Sequence, residues 1–373
     1  MPIFTPHQEQ ALSAVADWLD AKPGEGATPQ VFRLFGYAGT GKTTLARHIA
    51  DGVDGEVKFA AFTGKAALVM RSKGCTAAST IHSLIYRTHD TGDEQPSFEL
   101  WDEAPAAKAE LIVIDECSMV DAELGRDLLS FGVPLLVLGD PAQLPPIAGA
   151  GFFTEHEPDA MLTEVHRQAA GDPIVHLSML ARDGRRIEPG IYGETQVVRR
   201  GDLDPARVLN ADQVLVGRNA TRRAYNMRLR ERRGFEDPLP LAGDKLVCLR
   251  NNRKKGLFNG GLWSVKERGV GRSRALVTMR LMPDEDFGLR AGKPVKVSVR
   301  TECFSGGIEA FDWQQRKKYD EFDYGYVLTV HKAQGSQWDD VVLFDESFAF
   351  PDGRERWLYT GITRAAKRLT IVV

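Results

Sequence analysis

The sequence shows no cysteine pairs, no long apolar runs and no pattern typical of a leader segment. The four cysteines lie far apart and form no CxxC pair, which argues against a disulfide framework or a cysteine-based zinc site. No apolar run approaches the roughly 18 residues that a membrane-spanning helix needs. The first ten residues lack a basic stretch followed by an apolar one, so we expect no secretion signal. These absences favour a cytoplasmic protein that has no membrane partner.

A strong net charge is missing too. The chain of 373 residues has 48 Lys and Arg against 51 Asp and Glu, which leaves a formal charge of −3 at pH 7. Charge alone therefore does not indicate a nucleic-acid partner, and any such partner must be argued from local segments. The length predicts two or more domains, and no internal repeat with a period of about 20–50 residues is visible.

Short apolar segments alternate with helical stretches along the chain. This alternation predicts an α/β fold with parallel sheets and crossover helices, in which ligands bind beyond the carboxyl ends of the strands. The first set, whose members end in polar or glycine-rich residues, covers residues 31–35, 57–62, 111–114 and 134–138. A later set, which predicts a second α/β domain, covers residues 213–217, 326–330, 341–344 and 369–373.

Two stretches interrupt this pattern. Between residues 241 and 320, short strand-like segments are separated by turn signals such as NNRKKG and NGG, which predicts a small inserted β-barrel. Residues 87–105 are polar at their centre and carry Phe98 and Trp101. A hairpin and a simple long loop are both compatible with this second insertion.

The segment GYAGTGKT, residues 36–43, follows a predicted strand and matches the phosphate-binding pattern G-x-x-x-x-G-K-[ST]. Its glycines let backbone N–H groups turn toward phosphate oxygens, and the helix that begins near Lys42 adds the positive end of its dipole. Lys42 can reach the outer phosphates, and the Thr43 hydroxyl can ligate Mg²⁺. A chance match is the alternative for this loop alone, but the preceding strand and the next motif favour a nucleotide site.

The segment IDECSMVD, residues 114–121, supplies the carboxylates that such a site needs. Asp115 ends a predicted strand, where it can hold Mg²⁺, and Glu116 can orient and deprotonate an attacking water. An Asp-Glu pair alone is also typical of a solvated turn. Together with the phosphate loop it indicates hydrolysis.

The segment LVLGDPAQLPPIAG, residues 136–149, has more polar and rigid residues at its strand end than a plain turn requires. A turn or helix cap accounts for Asp140. It does not account for Gln143 or for the pair Pro145 and Pro146.

Six segments occur in the order found in superfamily 1 helicases: GYAGTGKTT, DECSMVD, LGDPAQLPPI, LTEVHRQ, LTVHKAQGSQ and YTGITRA. The sequence resembles this family over residues 8–364, and most closely the branch that contains phage Dda and the RecD-like helicases. The resemblance implies an ATP-dependent DNA helicase that moves 5′ to 3′ on single-stranded DNA. Its cofactors would be ATP and Mg²⁺, and its substrates single-stranded DNA and junctions of single- and double-stranded DNA.

The resemblance also implies a domain plan with two RecA-like P-loop motor domains and two insertions. Residues 1–86 and 106–170 would form the N-terminal RecA-like domain, and residues 171–240 and 321–373 the C-terminal one. Residues 241–320 would form an SH3-like accessory domain, a role that the NGG at 259–261 matches. Residues 87–105 would form the pin that splits the duplex, and packing of this loop onto the first domain is the alternative.

Roles at the ATP site follow from the same resemblance. Gln8 would read the adenine edge, although a capping box with Thr5 also explains it. Arg167 and Arg364 would reach the γ-phosphate from across the cleft, the alternative being ordinary surface arginines. Gln143 would touch both the γ-phosphate and the second domain. The implied catalytic residues are Asp115, Glu116, Gln143, Arg167 and Arg364, the metal ligands are Thr43 and Asp115, and the nucleotide-binding residues are Gln8, Gly36, Gly39, Thr40, Gly41, Lys42, Thr43 and Thr44.

A path for single-stranded DNA is implied by other matching segments. Contacts of this kind to the sugar–phosphate backbone carry little sequence information, as a motor that moves along any sequence requires. Phe98 would stack on the parting base pair, or else pack as core, and the two histidines are equally compatible with core packing. The implied contact residues are Thr63, Lys65, Thr80, His82, Phe98, Thr329, His331, Lys332 and Ser336.

Two features leave alternatives open. Gln337 stands where the family often has a glutamate that contacts the nucleotide sugar, which puts that contact in doubt. Residues 218–233 contain seven arginines and one glutamate, so a helix there would expose a basic face. That face is either a solvated surface or a phosphate contact whose affinity falls with salt.

Rival functions are a helicase of opposite polarity or one acting on RNA, a subunit of a recombination or nuclease complex without independent unwinding, and a P-loop ATPase switch or small-molecule kinase. DNA stimulation of the ATPase and unwinding of 5′-tailed against 3′-tailed duplexes separate these classes. We expect a monomer, with replication or recombination proteins as possible partners.

Overall fold

Helices and strands alternate through the first part of the chain. In the computed structural model the described residues are 4–24, 26–89, 97–145, 151–164, 171–252, 255–269, 275–284 and 294–373. The elements up to residue 164 are, in chain order, α1 (Pro6–Asp20), β1 (Val31–Gly36), α2 (Lys42–Ala50), β2 (Val57–Ala61), α3 (Gly64–Ser72), β3 (Ser79–Thr80), α4 (Ile81–Ile85), β4 (Tyr86–His89), β5 (Ser97–Leu100), β6 (Leu111–Asp115), α5 (Ala122–Leu129), β7 (Leu135–Gly139) and β8 (Ala160–Leu162).

The remaining elements begin after residue 172. Among the described residues, no helix is both long and apolar enough to cross a membrane. The elements are α6 (Pro173–Arg182), β9 (Gly190–Tyr192), β10 (Thr195–Val198), α7 (Pro205–Asn210), β11 (Gln213–Val216), α8 (Asn219–Arg232), β12 (Lys245–Cys248), β13 (Leu262–Arg268), β14 (Leu276–Pro283), β15 (Val295–Arg300), α9 (Glu302–Ser305), α10 (Trp313–Arg316), β16 (Phe322–Tyr324), β17 (Val327–Thr329), β18 (Trp338–Phe344), α11 (Arg354–Ile362) and β19 (Ala365–Val372).

A parallel sheet of order β3-β2-β6-β7-β1-β8 forms the first α/β domain. Every residue of β7 is buried, and so are the first four of β6, because helices cover both faces. The carboxyl ends of β1, β6 and β7 lie side by side in this sheet. Gly36, Asp115 and Gly139 are therefore neighbours, although the sequence separates them widely.

The second α/β domain contains a sheet of order β17-β11-β18-β19-β10-β9. Its strands pair in parallel except for the edge strand β9, which is antiparallel to β10. Helices α6 and α11 pack on this sheet through a shared apolar cluster that includes Leu177 and Trp357. The fold class predicted from the apolar segments is confirmed for both domains.

Two antiparallel units accompany these domains. Strands β15-β14-β13-β12-β16 form a five-stranded sheet, termed here the insert sheet, with an irregularity between Val265 and Glu267. Its last strand, β16, lies beyond residue 320 in the sequence. Strands β4 and β5 form a hairpin in which Phe98 pairs with Thr88 through the backbone. The assignment of these units as an SH3-like domain and a pin stays a prediction, as do the domain boundaries.

Helix α8 is the arginine-rich helix, and two of its arginines do not face solvent. Arg230 is 1% exposed and binds both carboxylate oxygens of Asp244, with N–O distances of 2.9 and 2.8 Å. Arg222 donates to Asp323 at 2.7 Å. Both acids lie at the insert sheet, so these arginines tie α8 to that sheet. The other arginines of the segment are exposed and give the helix a basic face, as predicted. Exposed members include Arg223 and Arg228.

We predict that Arg230→Ala lowers the free energy of unfolding by about 3–5 kcal/mol, because it leaves the Asp244 carboxylate buried without its cation. Arg228→Ala, on the exposed face of the same helix, should change it by less than about 0.5 kcal/mol. Urea unfolding followed by circular dichroism measures both. Equal effects of the two substitutions would contradict the buried pair as a stabilising contact.

Candidate functional site

The phosphate loop leaves β1 at Gly36 and enters α2 at Lys42. Gly39 and Gly41 have φ angles of 79° and 84°, a left-handed region that favours glycine. A Cβ on Gly41 would also lie 2.8 Å from the Gln8 side-chain nitrogen. The pattern of glycines is therefore a requirement of this backbone turn, as the sequence predicts.

Both polar atoms of the Gln8 side chain form hydrogen bonds within the protein. Its Oε1 accepts from the Thr5 backbone N–H at 3.0 Å, and its backbone N–H donates to the Thr5 hydroxyl at 3.3 Å. The capping box is therefore present. Its Nε2 donates to the Thr40 carbonyl at 2.9 Å, so the start of α1 also holds the phosphate loop. A contact with adenine would require Gln8 to exchange this last hydrogen bond.

Lys42 and Thr43 lie at the centre of the loop. Lys42 Nζ donates to the carbonyls of Gly36 at 2.6 Å and Tyr37 at 3.0 Å. The Thr43 hydroxyl donates to Asp115 Oδ2 at 3.0 Å, and Asp115 Oδ1 accepts from the Glu116 backbone N–H at 2.8 Å. The first turn of α2 and the end of β6 thus meet through one hydrogen bond.

The oxygens of Thr43 and Asp115 are the ligand types that Mg²⁺ prefers. Within the part of the chain that the structure describes, no group of three or more His, Cys, Asp or Glu side chains could hold a metal. A hydroxyl beside one carboxylate fits a Mg²⁺ ion that takes its other ligands from phosphates and water.

Glu116 has an unusual backbone and environment. Its φ of 54° is left-handed, a conformation that costs a non-glycine residue about 1–3 kcal/mol and that often marks functional sites. Burial raises the pKa of its carboxyl, and the nearby Arg364 guanidinium opposes that rise. A carboxylate with a raised pKa is a stronger base, which suits activation of water.

Arg364 reaches the same place from the second α/β domain. It follows α11, is 5% exposed, and donates to the carbonyls of Thr360 at 3.0 Å and Ser336 at 3.2 Å. Arg167, the second predicted arginine, lies in residues 165–170, outside the described residues.

A cavity of about 310 Å³, termed the interdomain cavity, separates Arg364 from the phosphate loop and the Asp115–Glu116 pair. It has walls from both α/β domains. Those from the first include Lys42, Thr43, Thr44, Asp115, Glu116 and Gln143, and those from the second include Gly335, Ser336, Gln337, Thr363 and Arg364.

Residues 140–145, termed the Asp140 loop, connect the two walls. Asp140 Oδ1 accepts from the Ala142 N–H at 3.0 Å, which is the turn cap that the sequence allows. Its Oδ2 accepts from the Tyr359 hydroxyl at 2.6 Å. Leu144 donates its N–H to the Thr360 hydroxyl at 3.0 Å, and its carbonyl accepts from Gln334 Nε2 at 3.0 Å. The loop is thus bound across the cleft at both of its ends, while Pro146 lies outside the described residues.

Gln143 lies inside this loop and is 7% exposed. Its side chain lines the interdomain cavity, and its Oε1 has no hydrogen-bond partner among the described residues. A buried amide oxygen in that state costs about 1–3 kcal/mol, so the site favours a ligand or water that donates to it.

The DNA contacts predicted in the first α/β domain lie in different environments. Thr63 and Thr80 are helix N-caps that accept from the N–H groups of Ala66 at 3.1 Å and Ser83 at 3.2 Å. The His82 ring lies 5.9 Å from Phe62 and 5.8 Å from Tyr86, measured between ring centroids. 

Two further predicted contacts stand apart from these. Lys65 is 3% exposed, and its Nζ lies 4.5 Å from the centroid of the Trp338 ring, at the contact between domains. The side chain of Phe98 lies outside the described part of the chain.

The predicted contacts in the second α/β domain also separate into two groups. The Thr329 hydroxyl accepts from the Lys332 N–H at 3.3 Å, and the half-buried His331 ring lies 5.2 Å from Phe350. Burial lowers the pKa of His331 and of Lys332. Ser336 lies instead in the wall of the interdomain cavity, where its carbonyl accepts from Arg364.

Sequence reasoning missed several residues that bridge the cleft. Tyr359 and Thr360 belong to the YTGITRA motif and Gln334 to HKAQGS, so a signal existed, but nothing marked their partners. Arg182, whose guanidinium lies 4.2 Å from the Tyr37 ring centroid, belongs to no motif that we identified.

Comparison with known proteins agrees with this arrangement. A family model described as an AAA domain matches residues 25–202, and one described as a UvrD-like helicase C-terminal domain matches residues 324–372. The ATP-dependent RecD2 DNA helicase of Deinococcus radiodurans is 30% identical over an alignment of 374 positions, gaps included, which covers 90% of this chain. The ATP-dependent DNA helicase dda of Enterobacteria phage T4 is 32% identical over 165 residues, which cover 40% of this chain. This chain is therefore similar to the superfamily 1 helicases over most of its length.

Solved helicase structures share the fold. Pif1 helicase from Bacteroides in complex with ADP-AlF3 and ssDNA superposes with a TM-score of 0.60 at 17% identity, covering 99% of this chain and 92% of that one. Pif1 helicase from Candida albicans gives 0.57 at 18% identity, covering 100% and 94%. The two α/β domains are therefore RecA-like P-loop domains. The chain spans 46% of the RecD2 helicase and 37% of dda.

We predict that Gly41→Ala weakens nucleotide binding about tenfold, because a left-handed alanine costs roughly 1–2 kcal/mol and its Cβ would collide with Gln8. Titration with a fluorescent ADP analogue measures the affinity. Gly201→Ala is the control, because a Cβ there meets no described atom within 4 Å. Unchanged affinity in Gly41→Ala would contradict the assignment of this loop to phosphate.

Proposed function

We propose that this chain is an ATP-dependent DNA helicase that moves on single-stranded DNA, from 5′ to 3′, and unwinds duplex DNA. The observation that carries the proposal is the interdomain cavity, in which the phosphate loop and the Asp115–Glu116 pair of one RecA-like domain face Arg364 of the other. A site made from two domains changes shape when the domains move, so it can convert hydrolysis into movement. The names of the RecD2, dda and Pif1 relatives support this proposal.

The proposed chemistry assigns one task to each group. Thr43 and Asp115 would hold Mg²⁺, which when bound neutralises negative charge on the phosphates. Lys42 would exchange its carbonyl partners for phosphate oxygens. Glu116 would accept the proton of the attacking water, and Arg364 would stabilise charge on the γ-phosphate.

Gln143 fits the position between water and phosphate. Its unpartnered oxygen can accept a hydrogen bond from the attacking water, and its loop is bound to Tyr359 and Thr360 of the second domain. The Asp140 loop would thereby report the state of the nucleotide to α11.

The DNA would cross the N-terminal ends of α3 and α4 and the segment after β17, where Thr63, Thr80 and His331 lie. We propose the β4–β5 hairpin as the strand-separating pin and the insert sheet as an SH3-like accessory domain. Lys65 and Ser336 would serve the contact between domains more directly than the DNA, because one packs on Trp338 and the other accepts from Arg364.

A second function has a specific observation in its favour. The RecBCD enzyme subunit RecD of Mycolicibacterium smegmatis is 25% identical, covering 98% of this chain and 76% of that protein. The alternative is therefore a subunit of a recombination complex that does not unwind alone. Unwinding by the purified chain favours the first proposal, and DNA-stimulated ATPase without unwinding favours the second.

We predict that Arg364→Ala lowers the DNA-stimulated kcat of ATP hydrolysis about 10³-fold, the usual effect of a γ-phosphate arginine. Lys42→Ala should abolish the same activity, and Arg356→Ala, exposed on α11, should retain it. ATPase assays with and without single-stranded DNA, together with unwinding of 5′-tailed and 3′-tailed duplexes, measure these effects. Full activity in Lys42→Ala would show that the site is assigned wrongly, and preference for a 3′ tail would reverse the proposed polarity.

We predict that Gln143→Ala still binds ATP and single-stranded DNA but no longer converts hydrolysis into unwinding. The amide would be missing from the connection between γ-phosphate and second domain, whereas both binding surfaces would keep their other contacts. The number of base pairs opened per ATP hydrolysed is the measurement. A variant in which ATPase and unwinding fall in proportion would place Gln143 in the chemical step alone.

A further inference from the structure

Tyr359 connects two separate loops of the first RecA-like domain from a position in the second. It is 1% exposed on α11. Its hydroxyl accepts from the N–H of Ala38, in the phosphate loop, at 3.0 Å and donates to Asp140 Oδ2 at 2.6 Å. One oxygen atom thus lies between the loop that would bind phosphate and the loop that would sense it.

The Asp140 carboxylate is costly to leave unpaired, because Asp140 is 3% exposed. Ala38 lines the interdomain cavity, where its N–H donates to the Tyr359 hydroxyl. Burial, reinforced by the Asp140 carboxylate, raises the pKa of Tyr359, so the hydroxyl keeps the proton that it donates. Because the hydroxyl is on the other domain, both hydrogen bonds form only when the two domains are in contact.

A neighbouring contact acts on the same turn of the phosphate loop. The Arg182 guanidinium, on α6 of the second domain, lies over the ring of Tyr37 at 4.2 Å from its centroid. Residues 37 and 38 are therefore both held by the second domain, one through a ring face and the other through a backbone N–H.

We propose that Tyr359 is a positioning residue that sets the shape of the phosphate loop when the cleft closes. Tyr359 would thereby stabilise the loop conformation that binds the transition state of hydrolysis, relative to the conformation that binds the product. This inference rests on the proposed ATPase function, and it adds a residue that acts through Ala38 and Asp140 and does not touch the nucleotide.

The chain contains a matched control. The Tyr326 hydroxyl accepts from the Lys245 N–H at 3.1 Å and donates to Asp244 Oδ1 at 2.9 Å. The chemistry is the same as at Tyr359, and the ring is also buried, at 7% exposed. None of these three residues lines the interdomain cavity. Tyr326→Phe therefore removes the same kind of contact at a site remote from the nucleotide.

The test compares Tyr359→Phe, Tyr326→Phe and the unchanged chain. The probes are ADP alone, which requires the phosphate loop, and ADP with aluminium fluoride, Mg²⁺ and single-stranded DNA, which requires the closed cleft. Tyr359→Phe should weaken binding of the aluminium fluoride complex by tenfold or more and change ADP binding by less than threefold. Tyr326→Phe should change neither affinity, although both variants lose thermal stability.

Two outcomes overturn the inference. Wild-type affinity of Tyr359→Phe for both probes would show that the hydroxyl is dispensable, and an equal loss for both would show a structural role only. A double-mutant cycle adds a second check, because the effects of Tyr359→Phe and Asp140→Ala on the aluminium fluoride complex should not be additive. Failure of the unchanged chain to bind that complex or to hydrolyse ATP would instead refute the proposed function.

Discussion

The hydrogen bonds between the Asp140 loop and the second domain hold the two walls of the interdomain cavity at their working distance. Leu144 is bound through its N–H and its carbonyl, to Thr360 and Gln334, and Asp140 is bound to Tyr359. The close approach also needs Gly335, whose φ is 72° and where a Cβ would lie 2.9 Å from the Ala66 Cβ. These contacts help to hold Arg364 of the second domain opposite Glu116 of the first, across the interdomain cavity.

The chemical character of the contact between the two domains matters as much as its position. The central strands of each RecA-like domain are buried and apolar, so each domain is expected to move as a unit. The contacts between domains include several hydrogen bonds and two cations over aromatic rings, beside apolar packing of Ala142 and Leu144 against the second domain. A typical hydrogen bond contributes only about 0.5–1.5 kcal/mol net, because water replaces the partner when the contact opens. Such an interface can therefore open and close at a cost that ATP binding is able to supply.

Sequence patterns were sufficient to predict the position of a residue where neighbouring residues alone determine its conformation. Gly39 and Gly41 are required by the turn itself, and Asp115 is placed by the end of its strand, so the sequence alone predicted that these residues lie at one edge of the sheet. Lys65 and Arg230 show the limit. Both are cations in polar segments, and both are buried because distant residues, Trp338 and Asp244, cover or neutralise them. Neither partner is encoded near the residue that it binds, so exposure could not be predicted for either one.

The hydroxyls of two buried tyrosines show that the same pair of hydrogen bonds can have different roles at different places in the fold. Tyr359 and Tyr326 each accept from a backbone N–H and donate to an aspartate. Tyr326 lies beside Lys245 and Asp244, which are near neighbours in sequence, and the buried Arg230 already satisfies that aspartate. Tyr359 joins loops from another domain that lie more than 200 residues away in sequence, where Asp140 has no described cation partner. The same hydroxyl therefore stabilises a fold in one case and a relative position of domains in the other. Asp140 is accordingly both the turn cap that its sequence context suggests and the residue through which the turn depends on the second domain.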